Sequence, residues 1–290
     1  MHFLKESQSV DGAKPLRAVL NFAHKCAMKC DWCYVPFGTP LATASVVESI
    51  VNRLAFLGFK WLTIGGGDPF QYSFIPNIIR LAKSQGLFVQ VDTHGKSLYQ
   101  SQSNLELLTD AVDLLGLPLD GSESSVHDQM RGSGGHFNLV CRRIEWLNSF
   151  RSRLKINTIV SSRNSHDLIH VAKLVSSFSP ARWSVYQYWP LGPAARVFSD
   201  HAVSDSEFAA CVEEAKSVIV NGGPILEINP RESRRDTYPI IHHDGEVFVH
   251  AIAPHDEFIS LGSIFAPNVL ASIYSSCIAE RSQAKNRYPF

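Results

Sequence analysis

Three cysteines, Cys26, Cys30 and Cys33, lie within eight residues near the start of this sequence, and the aromatic Tyr34 follows the last of them. Thiolates are the usual protein ligands of iron–sulfur clusters, and a [4Fe–4S] cluster held entirely by protein needs four of them. The next cysteine, Cys141, lies far along the chain. The spacing therefore predicts a cluster with one iron left open to bind a small molecule.

The same spacing leaves other interpretations open. Structural zinc sites combine cysteine with histidine, so the three thiols could bind zinc together with a distant histidine. They could also be inert, or belong to a disulfide framework, although such frameworks are typical of small secreted proteins. The remaining cysteines, Cys141, Cys211 and Cys277, are scattered and are predicted to be buried as small hydrophobic residues.

The composition excludes several classes of function. The 290 residues, 45% of them hydrophobic, are enough for one large core with an appendage. With 27 basic and 27 acidic residues, nothing indicates a protein that binds polymeric nucleic acid. No apolar run approaches the roughly 18 residues of a membrane-spanning helix, and the first residues lack the apolar core of a signal peptide. We therefore expect a cytoplasmic protein with no membrane partner.

The elements that must position the cysteines alternate between strand and helix. Short β-prone runs predict strands at 17–23, 61–64, 87–91, 114–119, 154–160 and 183–188. Helical spacing of apolar residues predicts helices at 45–58, 75–85, 105–112, 137–150 and 166–178. This alternation predicts an α/β fold with a parallel sheet, which right-handed crossovers wind into a full or partial barrel.

In such barrels the chemistry takes place at the carboxyl ends of the strands. The second strand runs into Gly65, Gly66 and Gly67, which permit close approach of the backbone to a ligand, and then into the acceptor Asp68. A simple glycine turn is the alternative, and a phosphate loop is disfavoured because its lysine and hydroxyl residue are missing. Polar residues also follow the later strands, at Thr93, Asp120, Ser162, Asn164 and Tyr188.

The segment after the sixth strand has a different pattern. A helix at 204–220 begins with a capping box formed by Ser204 and Glu207, and a hairpin strand at 245–249 follows an Asp-Gly turn. The histidines at positions 242, 243, 250 and 255 fit no zinc spacing and are predicted to lie on the surface. We expect three regions: an N-terminal arm at 1–16, a barrel at 17–195 and an extension at 196–290 that covers the barrel mouth.

The cysteine spacing, with its following aromatic residue, resembles that of the radical S-adenosylmethionine superfamily. The run from Gly66 to Pro69 is similar to the superfamily's Gly-Gly-Glu-Pro motif, with Asp68 in place of the glutamate. The resemblance implies a partial (β/α)6 TIM-like barrel, with a [4Fe–4S] cluster on the three cysteines and S-adenosylmethionine on the open iron. One electron from an external reductant, such as flavodoxin or ferredoxin, would then release a 5′-deoxyadenosyl radical.

The resemblance also implies a set of cofactor-binding residues. The motif from Gly66 to Pro69 would hold the amino group of S-adenosylmethionine, and Arg131 would hold its carboxylate. Together with the polar residues at the strand ends, the predicted set is Tyr34, Gly66, Gly67, Asp68, Pro69, Thr93, Asp120, Arg131, Ser162, Asn164 and Tyr188.

Within the superfamily the chain most resembles the viperin group, which removes water from a nucleoside triphosphate to form a 3′-deoxy-3′,4′-didehydro nucleotide. The similar segments occur in the same order in both, at 21–22, 155–157, 180–187, 203–208 and 236–238. The resemblance implies a small-molecule substrate, a nucleotide or nucleoside. It also implies that hydrogen is abstracted from a sugar carbon and that the neighbouring hydroxyl is then lost.

Catalytic residues are predicted from the same resemblance. Lys155 and Asn157 alternate along one strand and so share a face, which we expect to point into the barrel. Lys155 would meet an anion and Asn157 a hydroxyl, while Tyr238 would donate the final hydrogen atom. An outward Lys155, and a Tyr238 that only packs in the core or at the rim, are the alternatives.

The chain departs from the viperin pattern in its positive charges. Ser184 replaces a phosphate-binding lysine, and the loop at 34–39 lacks the lysine that follows the cysteines. Each missing cation removes a charge-assisted hydrogen bond to phosphate. The predicted substrate-binding set is Lys155, Asn157, Arg182, Ser184, Arg231, Arg234 and Arg235, with a solvated face as the alternative for the last three.

Two further functions therefore stay open. One is radical modification of a peptide or another small molecule in natural-product biosynthesis. The other is a zinc-bound interaction module without enzymatic activity, which the glycine motif at a strand end disfavours.

Overall fold

The structure is a computed structural model, and it describes residues 16–23, 25–36, 42–220, 222–235, 237–250 and 257–277. The predicted N-terminal arm lies outside these residues, apart from its last position. Within the described residues, every helix is too short or too polar to cross a membrane.

The described residues form ten strands and nine α-helices. The strands are β1 Leu16–Ala23, β2 Phe59–Gly66, β3 Phe88–Asp92, β4 Leu114–Pro118, β5 Leu154–Val160, β6 Arg182–Gln187, β7 Ile225–Asn229, β8 Ile240–His242, β9 Glu246–His250 and β10 Phe258–Ser263. The helices are α1 Ala44–Phe56, α2 Ile75–Ser84, α3 Gln102–Ala111, α4 Ser124–Arg131, α5 His136–Trp146, α6 Leu168–Phe178, α7 Phe198–His201, α8 Asp205–Lys216 and α9 Val269–Ser276.

All ten strands belong to one sheet, in the order β10-β9-β8-β1-β2-β3-β4-β5-β6-β7. Strands β1 to β7 run parallel to one another in sequence order, and β8 runs parallel to β1 on its other side. Helices connect the first six strands, as right-handed crossovers require. The predicted α/β fold, a partial (β/α)6 barrel followed by a C-terminal extension, is confirmed.

The two faces of the strands differ in polarity, and this difference builds the barrel. In β2, Leu62 and Ile64 are fully buried in the hydrophobic cluster that contains Ile50 and Leu54 of α1. Thr63, which lies between them in the strand, points to the other face and lines a cavity. Side chains alternate along a strand, so one face packs against helices while the other lines the lumen.

The extension adds strands to both edges of the six-stranded barrel. β7 pairs with β6 at one edge, while the hairpin of β8 and β9 joins β1 at the opposite edge. The capping box of Ser204 and Glu207 opens α8, as predicted. Whether the extension also covers the barrel mouth stays a prediction.

Two details differ from the sequence predictions. The helix α4 was not expected, because it buries only His127 and Met130 and so lacks a clear apolar stripe. The prediction of surface histidines is wrong for His242 and His250, which are buried in the hairpin of the extension. The histidine at position 255 lies outside the described residues.

We predict that the hairpin of the extension is part of the cooperative fold. Ile241 of β8 is fully buried, whereas Ile259 of β10 is half-exposed. Ile241→Ala should lower the free energy of unfolding by about 2–5 kcal/mol, because it leaves a cavity in the core. Ile259→Ala, the matched control, should change it by less than about 0.5–1 kcal/mol.

Urea unfolding of both variants, followed by circular dichroism, measures the difference. Similar losses of stability in the two variants would show that β8 is not packed into the barrel core.

Candidate functional site

The cysteines lie on a loop that begins directly after β1 and rests on the end of α4. The Trp32 indole N–H donates to the Met130 carbonyl over 2.7 Å. Gly132 has a positive φ of 57°, and a Cβ there would lie 2.6 Å from the Lys29 carbonyl oxygen. Only glycine suits both the backbone conformation and the close approach, so this residue fixes the contact between helix and loop.

The outer edge of the same loop is held by α7. The His201 side chain is fully buried, and its Nε2 lies 2.9 Å from Asp31 Oδ1. The Arg163 guanidinium lies 3.2 Å from the other oxygen of the Asp31 carboxylate. The extension therefore helps to position the segment between Cys30 and Cys33.

The three thiols line one cavity, of about 200 Å³. Burial raises the pKa of Cys26 to about 11 and that of Cys33 to about 12. Thiolates at these positions therefore require a positively charged partner. A bound metal ion is such a partner, and a thiol that coordinates it is deprotonated outright. Three thiols that share a cavity fit a cluster with one open iron. No group of three His, Cys, Asp or Glu side chains in the described residues is arranged to hold a single metal ion.

A strip of glycines forms another part of the cavity wall. Gly65, Gly66 and Gly67 all line it, and Gly66 has a φ of 107° that other residues rarely adopt. Without side chains the strip offers backbone groups directly to a ligand. This is the arrangement expected for the predicted cofactor-binding loop.

Asp68 lies behind that wall and does not line the cavity. Its Oδ1 accepts hydrogen bonds from the Phe70 N–H over 3.1 Å and from the Thr93 hydroxyl over 2.8 Å. Its Oδ2 lies 2.9 Å from Nδ1 of His94. The carboxylate therefore positions Thr93, which lines the cavity together with His94. Direct contact between Asp68 and the cofactor amine stays a prediction, as does any direct contact of Pro69, which is buried next to it.

Arg131, at the end of α4, is the link between the thiols and the strand ends. Its guanidinium lies 4.0 Å from Cys30 Sγ, stacks over Trp32 with 4.9 Å to the ring centre, and donates from Nε to Asp120. Burial opposes its charge, but the Asp120 carboxylate outweighs burial and raises the pKa of Arg131. Arg131 lines the cavity, and it remains the predicted partner of a cofactor carboxylate.

The other predicted residues at the strand ends support this pair or lie apart from the cavity. Asp120 Oδ1 accepts from the Ile159 N–H over 2.7 Å, and the Asn164 amide donates to the Asp120 carbonyl over 2.9 Å. The Ser162 side chain is exposed and donates to the Asp200 carbonyl. The Tyr188 hydroxyl is buried and donates to the Ala194 carbonyl. Tyr34 does line the cavity, where it accepts from the Asn21 amide over 3.2 Å.

A chain of histidines connects the end of β4 to the cavity wall. The Asp120 N–H donates to Nδ1 of His127, whose Nε2 lies 2.8 Å from Nδ1 of His136. Nε2 of His136 in turn lies 2.8 Å from the carbonyl of His94. Burial lowers the pKa of His127 to about 2 and that of His136 to about 4, so both are neutral at neutral pH.

The predicted cations of the lumen meet on one carboxylate, Glu227 of β7. Nζ of Lys155 lies 3.5 Å from Glu227 and donates to the Tyr186 hydroxyl over 3.0 Å. The Arg182 guanidinium donates to Glu227 over 2.8 Å, and the Ser184 hydroxyl donates to its other oxygen. Burial opposes the charge of Glu227, but Lys155 and the other donors hold its pKa below the usual range.

The last four predicted residues lie outside the cavity wall. The Arg231 guanidinium is 3.7 Å from Asp205, and Arg235 pairs with Glu232 over 2.6 Å. Arg234 is buried and stacks over Trp189 at 4.7 Å. The Tyr238 ring lies under the Arg17 guanidinium, with 4.8 Å to the ring centre. Their roles toward substrate stay predictions.

Several cavity residues were missed from the sequence. Asn157 was predicted and does line the cavity, where its amide donates to Asp92 over 3.3 Å. Asp92, Thr63 and His94 line it too but were not assigned a role. Strand alternation could have found two of them, since Asp92 ends β3 and Thr63 alternates with buried apolar neighbours in β2.

The comparisons with known proteins agree with this geometry. The family model of the Radical SAM superfamily matches residues 20–175, more than half of the chain. The S-adenosylmethionine-dependent nucleotide dehydratase of Lacinutrix mariniflava is 24% identical over 247 residues, which cover 80% of this chain and 50% of that protein. The antilisterial bacteriocin subtilosin biosynthesis protein AlbA of Bacillus subtilis is 26% identical over 293 residues, which cover 97% of this chain and 64% of that protein.

Solved structures show a similar fold. Streptococcus suis SuiB bound to S-adenosylmethionine superposes with a TM-score of 0.69 at 15% identity, covering 92% of this chain and 68% of that chain. At this identity the likeness shows the fold alone. The chain spans between half and two thirds of the length of the two curated relatives named above.

We predict that His127 makes the protein less stable in mild acid. Its pKa is about 2 in the fold and about 6.5 in an unfolded chain, so below about pH 6.5 the unfolded state binds a proton that the folded state does not. Stability is therefore lost as the pH falls. Between about pH 7 and pH 5.5 this one group should cost about 1 kcal/mol.

Urea unfolding of the reconstituted protein at both pH values checks the effect. His127→Gln should reduce the acid-induced loss of stability by about 1 kcal/mol, whereas the control His170→Gln, at an exposed position, should not. An identical pH dependence in wild type and His127→Gln would contradict a neutral, buried His127.

A further prediction concerns Asp68. Asp68→Ala removes the acceptor that holds the Thr93 hydroxyl, and with it any charged hydrogen bond to the cofactor amine. Such a bond contributes on the order of 1.5–3 kcal/mol, so S-adenosylmethionine should bind roughly ten- to a hundredfold more weakly.

Calorimetry on anaerobically reconstituted protein measures the affinity, and iron analysis should show an unchanged cluster content. Asp110→Ala, at an exposed position of α3, is the control and should bind as wild type does. Wild-type affinity in Asp68→Ala would rule out both the direct and the positioning role.

Proposed function

Because the chain belongs to the radical S-adenosylmethionine superfamily, whose family model matches residues 20–175, we propose that it removes water from the sugar of a nucleoside or nucleotide. Membership itself makes the protein a radical enzyme that uses a [4Fe–4S] cluster and S-adenosylmethionine. When bound, these two groups supply a 5′-deoxyadenosyl radical, which abstracts a hydrogen atom from the substrate.

The residues of the cavity have separate tasks in this proposal. Cys26, Cys30 and Cys33 hold the cluster, while the glycine strip and Arg131 hold the cofactor's amino acid part. Thr93, fixed by Asp68, and His94 shape the wall between them. Placement and exclusion of water are what a protein contributes to radical chemistry.

The observation that carries the nucleoside proposal is the polarity of the barrel lumen. TIM-type barrels normally fill this space with bulky branched side chains. Here the lumen face carries Thr63, Gln90, Asp92, Asn157 and Ser184, all of which can accept or donate hydrogen bonds. A polar lumen next to the cofactor cavity favours a substrate rich in hydroxyl groups, such as a ribose.

The proposed dehydration begins at a carbon of the sugar. Abstraction of a hydrogen atom leaves a carbon radical on the sugar, and the hydroxyl of the neighbouring carbon departs as hydroxide, which takes up a proton to form water. One further electron from the external reductant then completes the carbon–carbon double bond. In this proposal Asn157 holds a sugar hydroxyl during these steps, and its position in the cavity wall supports that role.

Relatives support the same choice. Two proteins named S-adenosylmethionine-dependent nucleotide dehydratase, from Lacinutrix mariniflava and Flammeovirga pacifica, are 24% and 25% identical to this chain. The reductant is proposed to be a small electron carrier such as flavodoxin or ferredoxin. It would meet the exposed rim of the cysteine loop, where Lys25, Lys29 and Asp31 are solvent-accessible.

A second candidate is radical modification of a peptide. It is favoured by the similarity to AlbA, named for subtilosin biosynthesis, which extends over 97% of the chain. A peptide would have to insert one of its side chains into the lumen from the barrel mouth, whereas a nucleoside would enter the lumen whole.

The proposal is tested by incubating reconstituted protein with S-adenosylmethionine, dithionite and single ribonucleosides, their monophosphates or their triphosphates. We expect at least one compound to accelerate formation of 5′-deoxyadenosine and to yield a product lighter by one water in mass spectrometry. Cys30→Ala should abolish both signals, because it removes a cluster ligand. If no nucleoside or nucleotide accelerates the reaction, the proposal fails and the peptide candidate takes its place.

A further inference from the structure

The carboxyl end of β3 carries a carboxylate that the proposed chemistry has not yet used. Asp92 lines the cavity and accepts from the Gln90 amide, with 3.0 and 3.1 Å to its two oxygens. Oδ1 also accepts from the Asn157 amide over 3.3 Å. One side of the carboxylate is thereby fixed, and Oδ2 keeps capacity for a further donor because each oxygen has two acceptor positions.

Gly116 makes this arrangement possible. It lies beside Asp92 in the next strand, and a Cβ at this position would lie 2.0 Å from Asp92 Oδ1 and 2.6 Å from Asn157 Nδ2. Any side chain here would displace the carboxylate or the amide. The space that a side chain of β4 would fill at this position is thus occupied by the Asp92 carboxylate and the Asn157 amide.

Three buried oxygen atoms around the carboxylate have no hydrogen-bond partner: Thr63 Oγ1, Gln90 Oε1 and Asn157 Oδ1. Thr63 and Gln90 are neighbours across β2 and β3, and both side chains are almost completely buried. A buried polar group without a partner costs on the order of 1–3 kcal/mol. Gln90 and Asn157 contact the carboxylate directly, and Thr63 lies beside Gln90 on the cavity wall, so the three oxygens point to a ligand that donates hydrogen bonds.

Charge supports the same assignment. In the described part of the chain, no lysine, arginine or histidine nitrogen lies within 4.0 Å of the Asp92 carboxylate. Arg131 is committed to Asp120, and Lys155 and Arg182 meet on Glu227. The wall near Asp92 therefore presents negative charge and acceptor oxygens, which disfavour a phosphate group in this position.

We propose that Asp92, together with these three oxygens, is a subsite for the two neighbouring hydroxyls of a ribose. One hydroxyl donates to the open side of the Asp92 carboxylate, and the other donates to an oxygen that has no partner within the protein. The inference rests on the proposed function and makes it more specific: the enzyme selects a ribonucleoside by its diol, and phosphates contribute little to binding.

The test measures ligand binding by calorimetry to cluster-loaded protein with S-adenosylmethionine present. The ribonucleoside that the activity panel identifies is compared with its 2′-deoxy form, its triphosphate and the cofactor alone. Wild type should bind the ribonucleoside at least tenfold more tightly than the 2′-deoxy form, because a site built to bind a hydroxyl discriminates against its loss. Asp92→Asn should remove most of this discrimination, and the control Asp110→Asn should retain it.

Thr63→Val provides a variant that does not depend on the folding of Asp92→Asn. It removes a hydroxyl without a partner, so thermal stability should be unchanged or higher, while ribonucleoside affinity should fall severalfold. A purely structural Thr63 would produce the opposite pattern, with lower stability and unchanged affinity.

If wild type binds ribonucleosides but Asp92→Asn keeps full discrimination, this inference fails and the proposed function stands. A loss of cofactor affinity in Asp92→Asn, with unchanged discrimination between the nucleosides, would assign the carboxylate to the cofactor's own ribose and overturn the inference. Binding of the triphosphate more than tenfold tighter than the nucleoside would also overturn it. If wild type binds no nucleoside or nucleotide, the proposed function fails together with the inference.

Discussion

The buried ion pair of Arg131 and Asp120 is the interaction on which the rest of the site depends. The guanidinium contacts a cysteine of the loop, the face of Trp32 and a carboxylate that is itself fixed by the backbone of β5. Removing one partner of a buried pair costs about 3–5 kcal/mol, because the other charge is left without compensation. If this pair is broken, the cysteine loop, helix α4 and the strand ends that it joins therefore lose their relative positions together.

Much of the fold could be predicted from local sequence. Buried parallel strands are nearly continuous apolar runs, and amphipathic helices repeat at 3.6 residues, so the alternation of the first six units was visible. The strands of the extension could not be placed, because pairing of β8 with β1 joins segments that no local pattern connects. Helix α4 escaped because its sequence is mostly polar.

The parts of the site that could be predicted are those whose residues lie close together in the sequence. The cysteine loop and the glycine strip each depend on a few consecutive residues, and the structure brings both to one cavity. Lys155 and Arg182 were expected to meet a ligand anion, but the carboxylate of Glu227 is 45 residues from Arg182 in sequence and accepts from it in the lumen. Such a pairing depends on sheet order, which the sequence does not reveal.

The position of β8 has a consequence for how the protein acquires its cofactor. β1, which leads directly into the cysteines, pairs with β2 on one side and with β8 on the other, at Val19, Leu20 and Asn21. During synthesis the cysteines therefore leave the ribosome early, whereas the strand β8 that pairs with β1 is complete only after residue 242 has emerged. Closing so long a loop costs entropy that the final contacts must offset. The surroundings of the cysteine loop are thus complete only once the last strands have paired with β1.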